Sequence, residues 1–124
     1  MMDRKEATRQ YKQTVQPMGI YQIRNLSNGK VLLGSSKNLH GAQNRFKLLL
    51  NLGSHMNHAL QKEYIEFGEA QFVFEVLDEL SPKDDLAYDY TKDLETLLSM
   101  WVDKVQPYGE KGYHVILNRG FFEV

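Results

Sequence analysis

Two β-prone runs, Met18–Asn25 (MGIYQIRN) and Lys30–Gly34 (KVLLG), stand on either side of Asn28-Gly29. That dipeptide tolerates the positive backbone angles a tight hairpin turn requires, so the two runs are predicted to pair antiparallel. No other stretch narrows the choice of folds as much. From Asn38 to Leu52 the residues Leu39, Ala42, Phe46, Leu49 and Leu50 recur at helical spacing, and Gly53 stands where a helix terminator belongs. A second helical stretch runs from about Met56 to Phe67 and stops at Gly68, after which Phe72–Leu77 reads as a strand buried on at least one face. The longest helix is expected over Leu86–Val105, where Tyr90, Leu94, Leu97, Leu98, Trp101 and Val105 form one apolar stripe, ended by Pro107 and Gly109. His114–Leu117 is a candidate last strand, and Met1–Thr14 reads as a short helix or frayed lead ahead of Pro17. The order implies an α/β fold: a small sheet covered by helices.

With 124 residues, 42% of them hydrophobic and 25% charged, the chain fits one globular domain with a buried core. No apolar run approaches the roughly 18 residues of a membrane span, and Met1–Gln16 has no apolar signal core, so a cytoplasmic protein without membrane contact is expected. Cys is absent, which excludes disulfides, thiolate metal sites and cysteine nucleophiles. The chain divides into an extension over 1–17, a domain over 18–118 and an apolar tail over 119–124. In that tail Phe121 and Phe122 either fold back on the core or form a homodimer contact.

Charge is unevenly spread. Residues 1–47 carry nine Lys or Arg against Asp3 and Glu6, a net +7, whereas the remainder carries six against fourteen, a net −8. Such polarity suits a basic surface for nucleic acid, and it equally suits two halves that fold together and neutralise each other.

The series Gly19-Ile20-Tyr21, then Leu32-Leu33-Gly34-Ser35-Ser36, then Gly53-Ser54-His55-Met56-Asn57 with Leu60-Gln61, and finally Gly112-Tyr113, resembles the GIY-YIG endonuclease domain from about Met18 to His114. The resemblance implies a small three-stranded sheet, antiparallel or mixed, flanked by helices, and cleavage of a DNA strand with one divalent metal ion. It also implies the site: a Tyr from GIY and one from YIG, an Arg and a His four residues apart on the first helix, a metal-holding Glu on the long helix, and the Asn of GYN. Of these only Tyr21 is present. Leu32 stands at the second Tyr, Ala42 at the Arg, Phe46 at the His, Leu98 at the Glu and His114 at the Asn.

Leu32, Ala42, Phe46 and Leu98 would together turn a wet anion-binding cleft into an apolar patch, and without a carboxylate at 98 a hard cation has no evident site. Arg45 and Glu95 each lie three residues from a lost group and would substitute for it only after a shift of helix register. His55 and His58 suit capping or the surface better than metal binding, and His114 suits a core position.

Three functions follow. The first is a catalytically inactive nuclease-like domain that binds DNA through Lys30, Lys37, Arg45 and Lys47, with no cofactor. The second is an endonuclease rebuilt on Tyr21, Arg45, Glu95 and His114 with Mg²⁺ or Mn²⁺. The third is a protein-interaction or homodimerisation module that uses the apolar former cleft or the tail.

Overall fold

The computed structural model describes residues 16–116 apart from 86, together with the backbone of 122–123. The hairpin forms as expected, with β1 (Met18–Asn25) antiparallel to β2 (Val31–Ser36) and Tyr21 opposite Gly34. Its turn is wider than the two-residue loop that Asn28-Gly29 suggests. Asn25 N–H donates to Lys30 O and Gly29 N–H to Asn25 O, enclosing four residues. Only Gly29 takes a positive φ, 79°. Asn28 instead accepts the Lys30 N–H on its side-chain oxygen at 3.0 Å, and Lys30 precedes the strand.

β3 (Phe72–Leu80) adds antiparallel to the other side of β1, giving the order β2-β1-β3, a wholly antiparallel three-stranded sheet. A bulge opposite Ile20 and Tyr21 interrupts that ladder, and the strand runs three residues further than expected. Helix α1 (Leu39–Leu52) is capped by the Asn38 side chain, which accepts from Gly41 N–H, and ends at Gly53 in the left-handed region. Helix α2 (His58–Phe67) starts two residues later than expected, capped by Asn57, which accepts from Leu60 N–H.

Helix α3 spans Thr91–Val105, five residues shorter than the apolar stripe predicted. Asp89 turns the chain there by accepting both the backbone N–H and the hydroxyl of Thr91. Tyr90 is buried against Met18 and Leu94 from outside the helix, so its place in the stripe reflects tertiary packing and not helical period. A two-residue strand β4 (Val115–Ile116) pairs antiparallel with β5 (Phe122–Glu123). The N-terminal lead and Phe121 lie outside the described residues, and of Phe122 only this backbone pairing is described.

The sheet separates two apolar clusters. Ile23, Leu32, Phe46, Leu50, Leu60, Tyr64, Phe72 and Tyr113 pack on the α1–α2 side. Val31, Leu33 and Val102, with Leu77, Leu98 and Trp101 against them, pack on the α3 side. Successive residues of a strand point to opposite faces, which is why Leu32 belongs to one cluster and its two neighbours to the other. Among the described residues no helix is long and apolar enough to cross a membrane.

Candidate functional site

Tyr21 is half-buried at the middle of the hairpin, its ring stacked on Phe74 at 4.9 Å between centroids, and Phe74 is stacked in turn on Phe46 at 5.6 Å. A Cβ on Gly34 would lie 2.5 Å from the Tyr21 hydroxyl and Cζ, so glycine at this position is what makes room for the ring. Beside the stack lies a cleft of about 470 Å³, whose lining includes Tyr21, Leu32, Ala42, Arg45, Phe46 and His55. Ser35, Ser36, Asn38, Gly41, Leu49 and Met56 complete the lining. Four of the six positions singled out by the family resemblance therefore meet in one place.

The other two do not. Leu98 packs with Val31, Leu33 and Val102, across the sheet from the cleft, so the expected single patch of Leu32, Ala42, Phe46 and Leu98 is not formed. His114 sits along the free edge of β2, 4% exposed, where its Nε2 accepts the Leu33 N–H at 2.9 Å and its ring meets Tyr108 edge-on. It is a strand-edge residue and does not line the cleft with Tyr21. Burial pushes its pKa down to about 4, so the imidazole is neutral.

Of the two substitutes, Arg45 lines the cleft with no shift of register, because Phe46 and Leu50 remain buried beneath the same helix. Position 42 drew the attention in the sequence, while Arg45, three residues on, shares its side of the helix. Glu95 is exposed on α3 and contributes nothing to the cleft. His55, half-buried, is brought in by the loop between α1 and α2; its signal was the G-x-H-x-N motif. Its Nδ1 accepts the Asn57 N–H at 3.0 Å, which leaves the proton of the neutral ring on Nε2, and burial lowers its pKa. His58 is exposed and lies outside this cleft. Burial raises the pKa of the Tyr21 hydroxyl against the opposing effect of Arg45, so Tyr21 is a protonated donor at neutral pH.

Three ion pairs join the basic first part of the chain to the acidic remainder: Arg24–Glu75 at 2.8 Å, Lys30–Glu63 at 3.5 Å and Lys37–Asp89 at 3.6 Å. Part of the charge polarity is thus neutralised between the two parts of the chain, and Lys30 and Lys37, expected as phosphate contacts, each lie beside a carboxylate. Lys47 lies two residues from Arg45 and so leaves the helix on a different side. Arg45 has no ion pair with any described residue.

A divalent ion of the kind the resemblance implies needs oxygen ligands. Among the described residues no Asp or Glu lines the cleft and no three His, Asp or Glu side chains come together. The residues present do not fit that metal.

Two solved structures are similar to this one. The catalytic domain of the homing endonuclease I-TevI superposes with a TM-score of 0.65 at 27% identity, covering 77% of this chain and 95% of that one. A mutant form of the catalytic domain of the intron endonuclease I-TevI gives 0.63 at 25% identity, covering 73% and 86%. No protein-family model and no curated protein matches the chain. The fold is GIY-YIG-like: a three-stranded antiparallel sheet with three helices, arranged as in an endonuclease catalytic domain.

Proposed function

We propose that this protein is a nuclease-fold domain that holds a nucleic-acid strand without cutting it. The observation that carries this reading is the lining of the cleft, which keeps hydrogen-bond donors and has no carboxylate. Hydrolysis of a phosphodiester needs a base or a metal to activate water, and charge to stabilise the developing oxyanion. Tyr21 is held protonated by burial, and the lone pair of His55 is taken by the Asn57 N–H, so neither accepts a proton near neutral pH. Arg45 alone remains as a group that favours negative charge. That combination suits retention of a phosphate and not its turnover. The similarity to endonuclease catalytic domains supports nucleic acid as the partner.

The test is nicking of supercoiled plasmid with Mg²⁺ or Mn²⁺, beside Tyr21→Phe and Glu95→Ala, together with gel-shift binding. The expected result is no cleavage by any of the three, and binding that weakens with salt and with Arg45→Ala. Cleavage by the parent that disappears in both variants would establish a rebuilt endonuclease instead.

A further inference from the structure

We propose that the cleft takes one unpaired nucleotide, its phosphate on Arg45 and the Tyr21 hydroxyl and its base against Leu49 and Met56, in preference to duplex DNA. The inference rests on the nucleic-acid reading above and names what that site selects.

Three features of the cleft argue for it. The first is charge: the lining offers donors and a cation, without a carboxylate to repel an anion. No described residue neutralises Arg45, and the Tyr21 hydroxyl has no hydrogen bond to any described residue. The second is shape. A recess of about 470 Å³ is the size of a small-molecule site. A base stacked inside a duplex cannot enter a recess unless it is flipped out, which costs least where the strand is already single. The third is the number of unpaired cations at the cleft among the described residues. Duplex binding draws its affinity from several phosphates neutralised at once, whereas Lys30 and Lys37 are paired with carboxylates and Lys47 leaves α1 on another side. One cation beside apolar surface is the arrangement that suits a single unstacked nucleotide. Met56 is 80% exposed at the rim, an apolar, polarisable side chain free to lie over a base.

The test is calorimetric titration of the full chain at low salt with a thymidine dodecamer, a duplex of the same length, thymidine monophosphate, thymidine and inorganic phosphate. The dodecamer is expected to bind about tenfold tighter than the duplex, whose bases must first be unstacked to enter the cleft. Arg45→Ala should weaken the dodecamer about tenfold and Met56→Ala about threefold, while Lys47→Ala changes it less than about twofold. Competition by the monophosphate, but not by thymidine or phosphate at the same concentration, identifies a nucleotide unit, free or within a strand. Duplex bound as tightly as the dodecamer, with Arg45→Ala unchanged, overturns the inference and leaves non-cleaving binding elsewhere intact. Phosphate competing as well as the monophosphate also overturns it, because the base then contributes nothing. If no nucleic acid binds, both this inference and the proposed function fail.

Discussion

The α1–α2 junction and the cleft lie beside each other on one side of the sheet, yet they carry the family motifs in opposite ways. At the junction every motif residue is present and each closes a bond. Gly53 terminates α1, the Asn57 side chain caps α2 and donates to Tyr113 O, and buried Gln61 donates to Leu50 O while accepting from His55 N–H. Tyr113 in turn donates its hydroxyl proton to Glu63 and accepts from Asn25, tying the hairpin to α2. Burial alone would raise the Glu63 carboxyl, but the bonds from Tyr113 and Asn28, with Lys30 beside them, hold it below the ordinary carboxylate value. In the cleft, by contrast, Leu32, Ala42 and Phe46 stand where the sequence resemblance implies polar groups. Residues that build the frame and residues that do chemistry can therefore part company within one motif series, and a match to the series reports the frame.

Placing at a core position the polar side chain that the resemblance implies there breaks this comparison most severely. Phe46 is 5% exposed and stacked on Phe74, so Phe46→His should cost about 3 kcal/mol in chemical denaturation, through lost packing and a poorly satisfied imidazole. Removing a frame residue comes next. Gln61→Ala leaves the His55 N–H without its partner and takes from the Leu50 carbonyl one of its two donors, the Gly53 N–H remaining, and should cost about 2 kcal/mol.

A third effect concerns the β2 edge. His114 has its pKa lowered from 6.5 to about 4, so the folded state favours the neutral ring. Its contribution is full above about pH 6.5 and is lost as pH falls toward 4, because the unfolded chain takes up the proton first. That loss should show as a falling acid limb between about pH 6.5 and 4 in denaturation experiments, and His114→Gln should flatten it over this window. The smallest effect sharpens the contrast. Ala42 is half-buried at the cleft wall, so Ala42→Arg should change stability by less than about 0.5 kcal/mol and restore no nicking, since a single cation supplies neither base nor metal.

The strand–helix order was readable because its signals are local: Asn28-Gly29, apolar residues at helical spacing from Leu39 to Leu50, and glycines at the ends of α1 and α2. The start of α3 was not, since Tyr90 is apolar for reasons of contact with Met18, which is distant in the chain. The site was half legible. Alignment on Gly34 located Tyr21, Leu32, Ala42 and Phe46, which do meet. It could not show that strand alternation and the placing of α3 put Leu98 across the sheet, or that a neutralising Glu63 and Asp89 wait for Lys30 and Lys37. Arg45 was visible as a residue, and its spacing of three from Ala42 already put it on the cleft side of α1, so that no shift of register was needed.

The central claim is the proposal that this nuclease-like frame carries a cleft for an anion and not for a divalent cation. Paramagnetic broadening of backbone amide resonances by Mn²⁺ tests it most directly. The account predicts no saturable, localised loss of signal at Tyr21, Ala42, Arg45 or His55 up to millimolar Mn²⁺, in a protein whose spectrum is otherwise that of a folded domain. Saturable broadening centred on those residues and abolished by Glu95→Ala would show that a metal site has been rebuilt, and would contradict it.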